Sequence, residues 1–424
     1  MGLVTVSLSA LGTLVPLYAL QEGATATLIG VLVALPNVFP VVLALTAGRL
    51  VDGGGAGRWL VVGTSGMVLA PLVVTLVTGL GALALAQVVI GFFHLFATLS
   101  SQAFVAGLSN GRSFERNFSW YSTSLAAGRM VGPLLAGVVV DLAGFRPAFG
   151  AVTVIAGLTV ALALAARRVE RASADVATDD APRAAGAGAT APAVAAAPAP
   201  PPGQGRERAT PVAERPPLRG AAAVRDAARN PGVQLAVLAS SGVFVAIAVR
   251  QAFFPVYLQG LAYPAATIGA LLSLGALSAV LVRALMPLVS RAFGGPARTL
   301  VVAMVAVAVS VGALGTVTTL APLVVLTVLA GFGTGVAMPL SIVTVASHVD
   351  PRRRGLALGL RLSANRAAQL VAPVLVGALV GVAGLGAGFA LAGGVLALAA
   401  LLAASRVGAF EHAAEVPGRV RPDV

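Results

Sequence analysis

Twelve stretches of roughly 20 apolar residues follow one another along this chain, and they limit its fold more than any other feature. Each is long enough to cross the hydrocarbon core of a bilayer as an α-helix. Hydrophobic residues make up 58% of the 424 residues and charged residues 10%, unlike the balance of a soluble domain. The sequence therefore predicts an all-α membrane protein. The stretches lie at about 3–20, 26–47, 60–79, 81–103, 119–141, 147–166, 233–257, 266–288, 299–318, 320–345, 356–382 and 385–405.

A segment of different composition divides these stretches into two groups of six. Residues 168–230 are rich in Ala, Pro and Gly, are highly charged and contain no aromatic residue. Such a segment buries too little apolar surface to offset the entropy lost on ordering, so we expect a disordered cytoplasmic linker. The predicted organisation is an N-terminal six-helix bundle over 1–167, this linker over 168–230, a C-terminal six-helix bundle over 231–405 and a cytoplasmic tail over 406–424.

The arginine distribution predicts which side of the membrane each loop occupies. All 28 basic residues are arginine, and the formal net charge is +13. If both termini are cytoplasmic, twenty-two arginines fall in the inner loops, linker and tail, whereas only Arg146 falls in an outer loop. This skew matches the positive-inside rule and predicts a multi-pass protein of the inner (cytoplasmic) membrane. The charge then belongs to loops beside the lipid bilayer, so we expect no nucleic-acid partner.

The two groups of stretches also repeat each other at a spacing of about 239–240 residues. Parallel repeats of six spans are one way in which secondary transporters are built, with the substrate bound between the halves near the midplane. The matching pairs are Pro16 and Pro255, Tyr18 and Tyr257, Ile29 and Ile268, Gly30 and Gly269, Pro133 and Pro373, Gly137 and Gly377, Gly144 and Gly384, and Phe149 and Phe389.

The loop between predicted spans 2 and 3 carries a recognisable motif, AGRLVDGGGAGRW. Its residues Gly48, Leu50, Asp52, Gly57 and Arg58 resemble the inner-loop signature of the major facilitator superfamily, although no basic residue directly follows Asp52. The resemblance implies twelve transmembrane helices in two pseudo-symmetric six-helix bundles. It also implies that Asp52 holds the start of span 11 at the inner face through the helix dipole. Gly48, Asp52 and Arg58 are therefore predicted gating residues.

Span 5 contains a second motif, GRMVGPLLAG, in which Gly128, Gly132, Pro133 and Gly137 resemble the antiporter motif of the same family. Small residues at this spacing let helices approach closely, and proline bends a helix, so these four residues are also predicted to take part in gating. The family associates the motif with exporters.

A third family motif is altered in span 4. Gly91 is present, but Gln87 occupies the position where proton-coupled members usually have an arginine. This difference weakens the inference of proton coupling from the resemblance.

Polar residues inside the spans are candidates for substrate contact, because they are costly in lipid. Arg129 and Arg366 lie deep in spans 5 and 11, and the repeat places Arg366 opposite Ala126, one helical turn from Arg129. No Asp or Glu lies in the middle of a span, so we expect a positive cavity and a neutral or anionic substrate. Arg283 and Arg361 lie near enough to the inner face to snorkel and are assigned no functional role. The predicted substrate-binding residues are Arg129, Arg366, His94, Asn37, Tyr121, Arg250, Gln251, Phe254 and Asn365.

These features predict a monomeric secondary transporter that works by alternating access. The chain has no cysteine, no lysine and no phosphate-binding loop, so we expect no cofactor, no metal and transport driven by gradients. The preferred function is efflux of a small organic molecule, drug-like or a metabolite, with proton antiport. The alternative is an uptake or facilitated-diffusion carrier for a neutral or anionic metabolite. A transporter-like membrane sensor or a membrane-embedded enzyme would need a folded soluble domain or a polar catalytic cluster, and neither is visible in the sequence.

Overall fold

The computed structural model describes residues 1–107, 112–186, 231–348 and 354–414, and these residues form α-helices joined by short turns. Two short 3₁₀ turns, Leu35–Asn37 and Leu314–Thr316, interrupt the helical pattern, and the described part of the chain contains no strand. The α-helices are α1 Gly2–Gln21, α2 Ala26–Ala34, α3 Val38–Gly54, α4 Ala56–Leu76, α5 Leu80–Gly107, α6 Arg112–Ala143, α7 Phe145–Gly186, α8 Pro231–Gly260, α9 Ala265–Ala284, α10 Met286–Ala292, α11 Pro296–Gly312, α12 Leu320–His348 and α13 Arg354–Ala414.

The described helices make twelve membrane crossings, which we call spans 1 to 12. α2 and α3 together form span 2, and α9 and α10 form span 8. α13 is 61 residues long, but Gly384 within it has a left-handed backbone (φ 83°, ψ 167°) that separates span 11 from span 12. Each of the other spans is a single helix: span 1 is α1, span 3 is α4, span 4 is α5, span 5 is α6, span 6 is α7, span 7 is α8, span 9 is α11 and span 10 is α12. The predicted all-α fold of twelve helices is confirmed.

The spans pack into two bundles with an apolar exterior. Span 1 packs on spans 5 and 6, and span 7 correspondingly packs on α13, which contains spans 11 and 12, and also on span 10. The bundles meet where span 1 contacts span 7, span 2 contacts span 11 and span 5 contacts span 8. Large apolar side chains such as Leu142 (82% exposed) and Val382 (90% exposed) cover the outside, as lipid contact requires.

The helices extend beyond two of the predicted boundaries. α7 continues through the start of the predicted linker to Gly186; Ala is the most frequent residue of this segment and has the highest helix propensity. α13 likewise enters the predicted tail and ends at Ala414. Residues 187–230 and 415–424 lie outside the described residues, so disorder there stays a prediction.

Candidate functional site between the two bundles

The two ends of the bundles differ in how closely they meet. We call the end that carries Met1, the end of span 6 and the start of span 7 the linker face. The opposite end, which carries loops 22–25, 77–79, 261–264 and 317–319, is called the distal face. Because each span crosses once, Met1, Gly186, Pro231 and Ala414 lie on the linker face.

Glycines bring the bundles into backbone contact on the distal half of the molecule. A Cβ atom added at Gly30 would fall on the carbonyl oxygen of Pro373, and one added at Gly269 would fall on that of Pro133. Spans 2 and 11 therefore cross in the same way as spans 5 and 8. Only glycine permits such an approach, so the distal face is closed.

The motif in span 5 serves two interfaces. Gly128 and Gly132 face span 1 in the same bundle, where the Ser9 hydroxyl donates to the Gly128 carbonyl oxygen at 2.8 Å. Pro133 and Gly137 face span 8 in the other bundle, and a Cβ at Gly137 would overlap the Ala265 carbonyl. The motif therefore joins the packing inside the first bundle to the contact between the bundles.

Among the described residues, the predicted gate at the linker face has no close contact between spans 2 and 11. A Cβ added at Gly48 of span 2, or at Gly359 near the start of span 11, would have no neighbour within 4 Å. Leu50 is 45% exposed and Arg58 is also exposed. The side chain of Asp52 lies outside what the structure describes, so its contact with span 11 stays a prediction.

Four cationic or titratable side chains are electrostatic neighbours across the gap between the bundles. His94 of span 4 lies within electrostatic range of the guanidinium groups of Arg129 and Arg366. Arg129 is in turn an electrostatic neighbour of Arg283 in span 8. The four residues come from both bundles, and the deep pair that the sequence predicts, Arg129 and Arg366, is brought to one place. We call His94, Arg129, Arg283 and Arg366 the cationic cluster.

The cationic cluster lacks neutralising partners in the described parts of the chain. No hydrogen bond or ion pair from the described residues reaches Arg129 or Arg366, and His94 bonds only the Thr98 hydroxyl of its own helix, at 3.2 Å. Arg129 is exposed although it lies mid-span, because it faces the gap between the bundles. An unpaired cation in such a place attracts an anionic ligand. Among the described residues no group of three His, Asp or Glu side chains could hold a metal ion.

Three other predicted site residues lie at helix surfaces that can face the gap. Asn37 ends the 3₁₀ turn of span 2 and is half-buried. The Tyr121 hydroxyl lies 3.3 Å from the Ser101 hydroxyl and so joins span 5 to span 4. Gln251 of span 7 is exposed, with its amide placed over Gly12 of span 1 at the contact between bundles.

The remaining predicted site residues are buried within the second bundle. Arg250 is 9% exposed, its guanidinium carbon lies 4.6 Å from the centre of the Phe254 ring, and its Nη2 donates to the Thr327 hydroxyl at 3.4 Å. Its Nη1 is buried and has no hydrogen-bond partner in the described structure. Phe254 is fully buried, and Asn365 accepts a bond from the Ser241 hydroxyl at 3.3 Å. Phe254 and Asn365 therefore pack helices together, and we leave them out of the proposed site.

The structure gives two further arginines different places from those expected. Arg361 does not snorkel: it is 6% exposed, and its Nε donates to the Ser341 hydroxyl at 3.1 Å, so that prediction is wrong. The Arg361 guanidinium stays between the helices because it can donate hydrogen bonds to polar groups of span 10 there. Arg283 donates to the Gly335 carbonyl oxygen at 3.4 Å but also lies beside Arg129. Sequence reasoning missed its place in the cationic cluster, although its position inside predicted span 8 was a signal.

Gln87 has a structural partner. Pro36 has no N–H group, so the carbonyl of Leu32, four residues earlier, loses its usual helical donor. The Gln87 amide, in span 4, donates to this oxygen at 2.8 Å and is only 7% exposed. The side chain at the altered family position thus supports the break in span 2.

Comparisons with known proteins agree with this architecture. Among solved structures, the chain resembles a bacterial homolog of the human lysosomal transporter Spinster in an inward-facing, unoccupied conformation (TM-score 0.67, 12% identity, 100% of this chain and 96% of that chain covered). It also resembles the nucleoside transporter NupG (TM-score 0.66, 15% identity, 96% of this chain and 98% of that chain covered). A third similar structure is that of a peptide transporter POT (TM-score 0.70, 14% identity, 97% of this chain and 93% of that chain covered). A search of curated proteins found no match. The profile of the Major Facilitator Superfamily matches residues 1–314 and 284–418, so the chain belongs to that superfamily.

Proposed function

We propose that this protein is a secondary active transporter that exports small organic molecules which are neutral or anionic when bound. It works as a monomer by alternating access, with the bundles rocking around the cationic cluster. The observation that carries the proposal is the position of that cluster in the gap between bundles, with no hydrogen bond or ion pair from the described residues to Arg129 or Arg366. A bound cation would need a carboxylate there, whereas no Asp or Glu lies mid-span.

The arginine distribution supports an orientation for this cycle. Most arginines outside the spans belong to the linker face, and the positive-inside rule then makes that face cytoplasmic. The described conformation, closed at the distal face and open at the linker face, is in this orientation inward-facing. An exporter in this state is ready to receive its substrate from the cytoplasm.

Proton antiport is the proposed coupling, and the antiporter motif of span 5 is the sequence feature that supports it. A facilitated-diffusion carrier is the second candidate, because Gln87 replaces the arginine of proton-coupled relatives and is bonded to Leu32. Substrate-driven proton flux, followed with a pH-sensitive dye inside proteoliposomes, separates the two. Flux in step with substrate transport supports antiport, and transport without proton movement supports the carrier.

The central experiment replaces each deep arginine and varies the charge of the substrate. Arg129→Gln and Arg366→Gln are compared with Arg291→Gln, a control on the exposed linker face of the second bundle. Transport of acidic, neutral and permanently cationic compounds is measured in proteoliposomes. We expect each deep substitution to reduce transport of acidic compounds about tenfold or more, to affect neutral compounds less, and the control to change neither.

Two results would contradict the proposed substrate class. Efficient transport of permanent cations by the parent protein would show that the cluster does not exclude positive charge. Equal loss for every compound in both variants, with a lower unfolding temperature, would make the two arginines structural.

A further inference from the structure

One carboxylate joins the two bundles at the distal face. Asp141 lies at the end of span 5, one turn beyond Gly137, and is exposed. Its Oδ1 accepts the amide N–H of Ala265 at 2.9 Å, and its Oδ2 accepts that of Ala266 at 2.7 Å. Both amides belong to the first turn of span 8, in the other bundle. Each carboxylate oxygen therefore bonds to a helix N-terminus that carries a partial positive charge.

The chain contains a natural comparison for this contact. The repeat places Gly381 of span 11 at the position of Asp141, and Ala26 and Thr27 of span 2 at the positions of Ala265 and Ala266. The backbones around these residues correspond: a Cβ at Gly137 would lie 2.9 Å from the Ala266 Cα, and a Cβ at Gly377 would lie 3.2 Å from the Thr27 Cα. The crossing of spans 2 and 11 has the same close approach but no carboxylate. Its cross-bundle side-chain bond is made by the Thr27 hydroxyl to the Gly377 carbonyl, at 3.3 Å.

Two polar side chains close in sequence to Asp141 and to Ala265 bond within their own bundles. Arg146 donates through Nε to the Thr75 carbonyl oxygen at 2.8 Å, within the first bundle. The Tyr263 hydroxyl donates to the Thr318 carbonyl oxygen at 3.1 Å, within the second bundle. The bonds from Asp141 to span 8 therefore link bundle to bundle without an intervening side chain.

We propose that Asp141 is a positioning residue for the transport cycle, a latch that stabilises the conformation closed at the distal face. This proposal rests on the alternating-access function proposed above. When the distal face opens, spans 5 and 8 separate there, and both amides must leave the carboxylate. Charge-assisted hydrogen bonds are stronger than neutral ones, so the latch raises the free energy of distal opening. It acts on one crossing only, which makes opening asymmetric.

The first test measures distal opening directly. The chain has no cysteine, so spin labels can be attached to Thr78→Cys and Thr319→Cys, two exposed loop positions on the distal face in different bundles. Electron–electron double resonance then gives the fraction of molecules with a long distance between them. Asp141→Ala is expected to raise the ratio of distal-open to distal-closed molecules about tenfold, equivalent to about 1.4 kcal/mol. Asp141→Asn, which keeps one acceptor oxygen without the charge, should give an intermediate rise.

The second test moves the latch to the other crossing. A Cβ at Gly381 would lie 3.5 Å from the Thr27 Oγ1, so a side chain fits there, and the substitution Gly381→Asp places a carboxylate beside the first turn of span 2. In the Asp141→Ala background it should restore the distal-closed population. Glu22→Gln is the matched control, because it removes an exposed distal carboxylate for which the structure gives no bond to the other bundle.

The outcomes are unambiguous. An unchanged distance distribution in both Asp141→Ala and Asp141→Asn, or an equal change in Glu22→Gln, overturns the latch. If Gly381→Asp does not fold, the two Asp141 variants still decide the question. No substrate is needed, so a shift in the distances without transport of any compound tested would support the latch and contradict the proposed function.

Discussion

The two distal crossings, span 2 on span 11 and span 5 on span 8, are built alike but are not equivalent. Gly30 meets Pro373 as Gly269 meets Pro133, so backbone contact is the same at both. Only the second crossing has Asp141, which bonds the first turn of span 8. The difference teaches that residues shared by the two repeats form a common scaffold, whereas residues that differ between the repeats make the two crossings unequal.

The same contrast holds inside the bundles. Span 4 of the first bundle has Gln87, which supports the break in span 2, and the repeat places Thr327 of span 10 at this position. Thr327 instead accepts a bond from Arg250, whose counterpart in span 1 is Leu11. Equivalent positions therefore carry a neutral hydrogen bond in one bundle and a buried cation in the other.

The largest effect is expected when a side chain is forced into a crossing. Gly30→Leu and Gly269→Leu each place atoms where a partner carbonyl lies, and overpacking of this kind costs about 1–3 kcal/mol. Each should lower the distal-closed population about tenfold or more in the spin-label measurement. Gly157→Leu is the control, because a Cβ there has no neighbour within 4 Å. A large effect at one crossing and none at the other would show that only one crossing stabilises the distal-closed conformation.

A smaller effect is expected from the polar positions inside the bundles. Gln87→Met leaves the buried Leu32 carbonyl without a donor, which costs about 1–3 kcal/mol. Thr327→Val removes a longer bond of 3.4 Å and should cost less than about 1 kcal/mol. Thermal unfolding of the detergent-purified variants, followed by intrinsic fluorescence, compares the two. A greater loss of stability in Thr327→Val would mean that the buried Arg250 depends on this contact more than the distance implies.

The smallest difference between equivalent positions is expected at the paired tyrosines. The Tyr257 hydroxyl donates to the Val317 carbonyl oxygen at 2.9 Å, whereas the Tyr18 hydroxyl accepts the Gly79 amide at 3.3 Å. Tyr257→Phe should therefore lower the free energy of unfolding by about 1 kcal/mol, and Tyr18→Phe by about half of that or less. The same unfolding measurement tests the order. Equal losses would show that the two hydroxyl groups contribute alike despite the different geometry.

The sequence by itself determined the fold, because its constraints are local or periodic. Helix length follows from the thickness of the bilayer, and the Gly384 break follows from the turn-forming position that it shares with Gly144, whose φ is 87°. The repeat also predicted equivalent packing. The ring of Tyr18 meets that of Phe149 edge-on at 5.5 Å, and the ring of Tyr257 meets that of Phe389 in the same way at 5.7 Å. Such pairs occupy corresponding places in both halves, so a matching spacing was enough to find them.

Only the tertiary structure decided which polar residues meet. Whether a mid-span residue faces the gap, a neighbouring helix or lipid depends on the rotation of each helix, and composition as biased as this gives little periodic signal for rotation. Phe254 and Asn365 were therefore predicted as site residues but are buried, while Arg283 joined the cationic cluster unexpectedly. Asp141 was visible in the sequence as an acid at a helix end. Its role required the position of span 8, because a carboxylate becomes a latch only when a helix N-terminus from the other bundle lies within hydrogen-bonding distance.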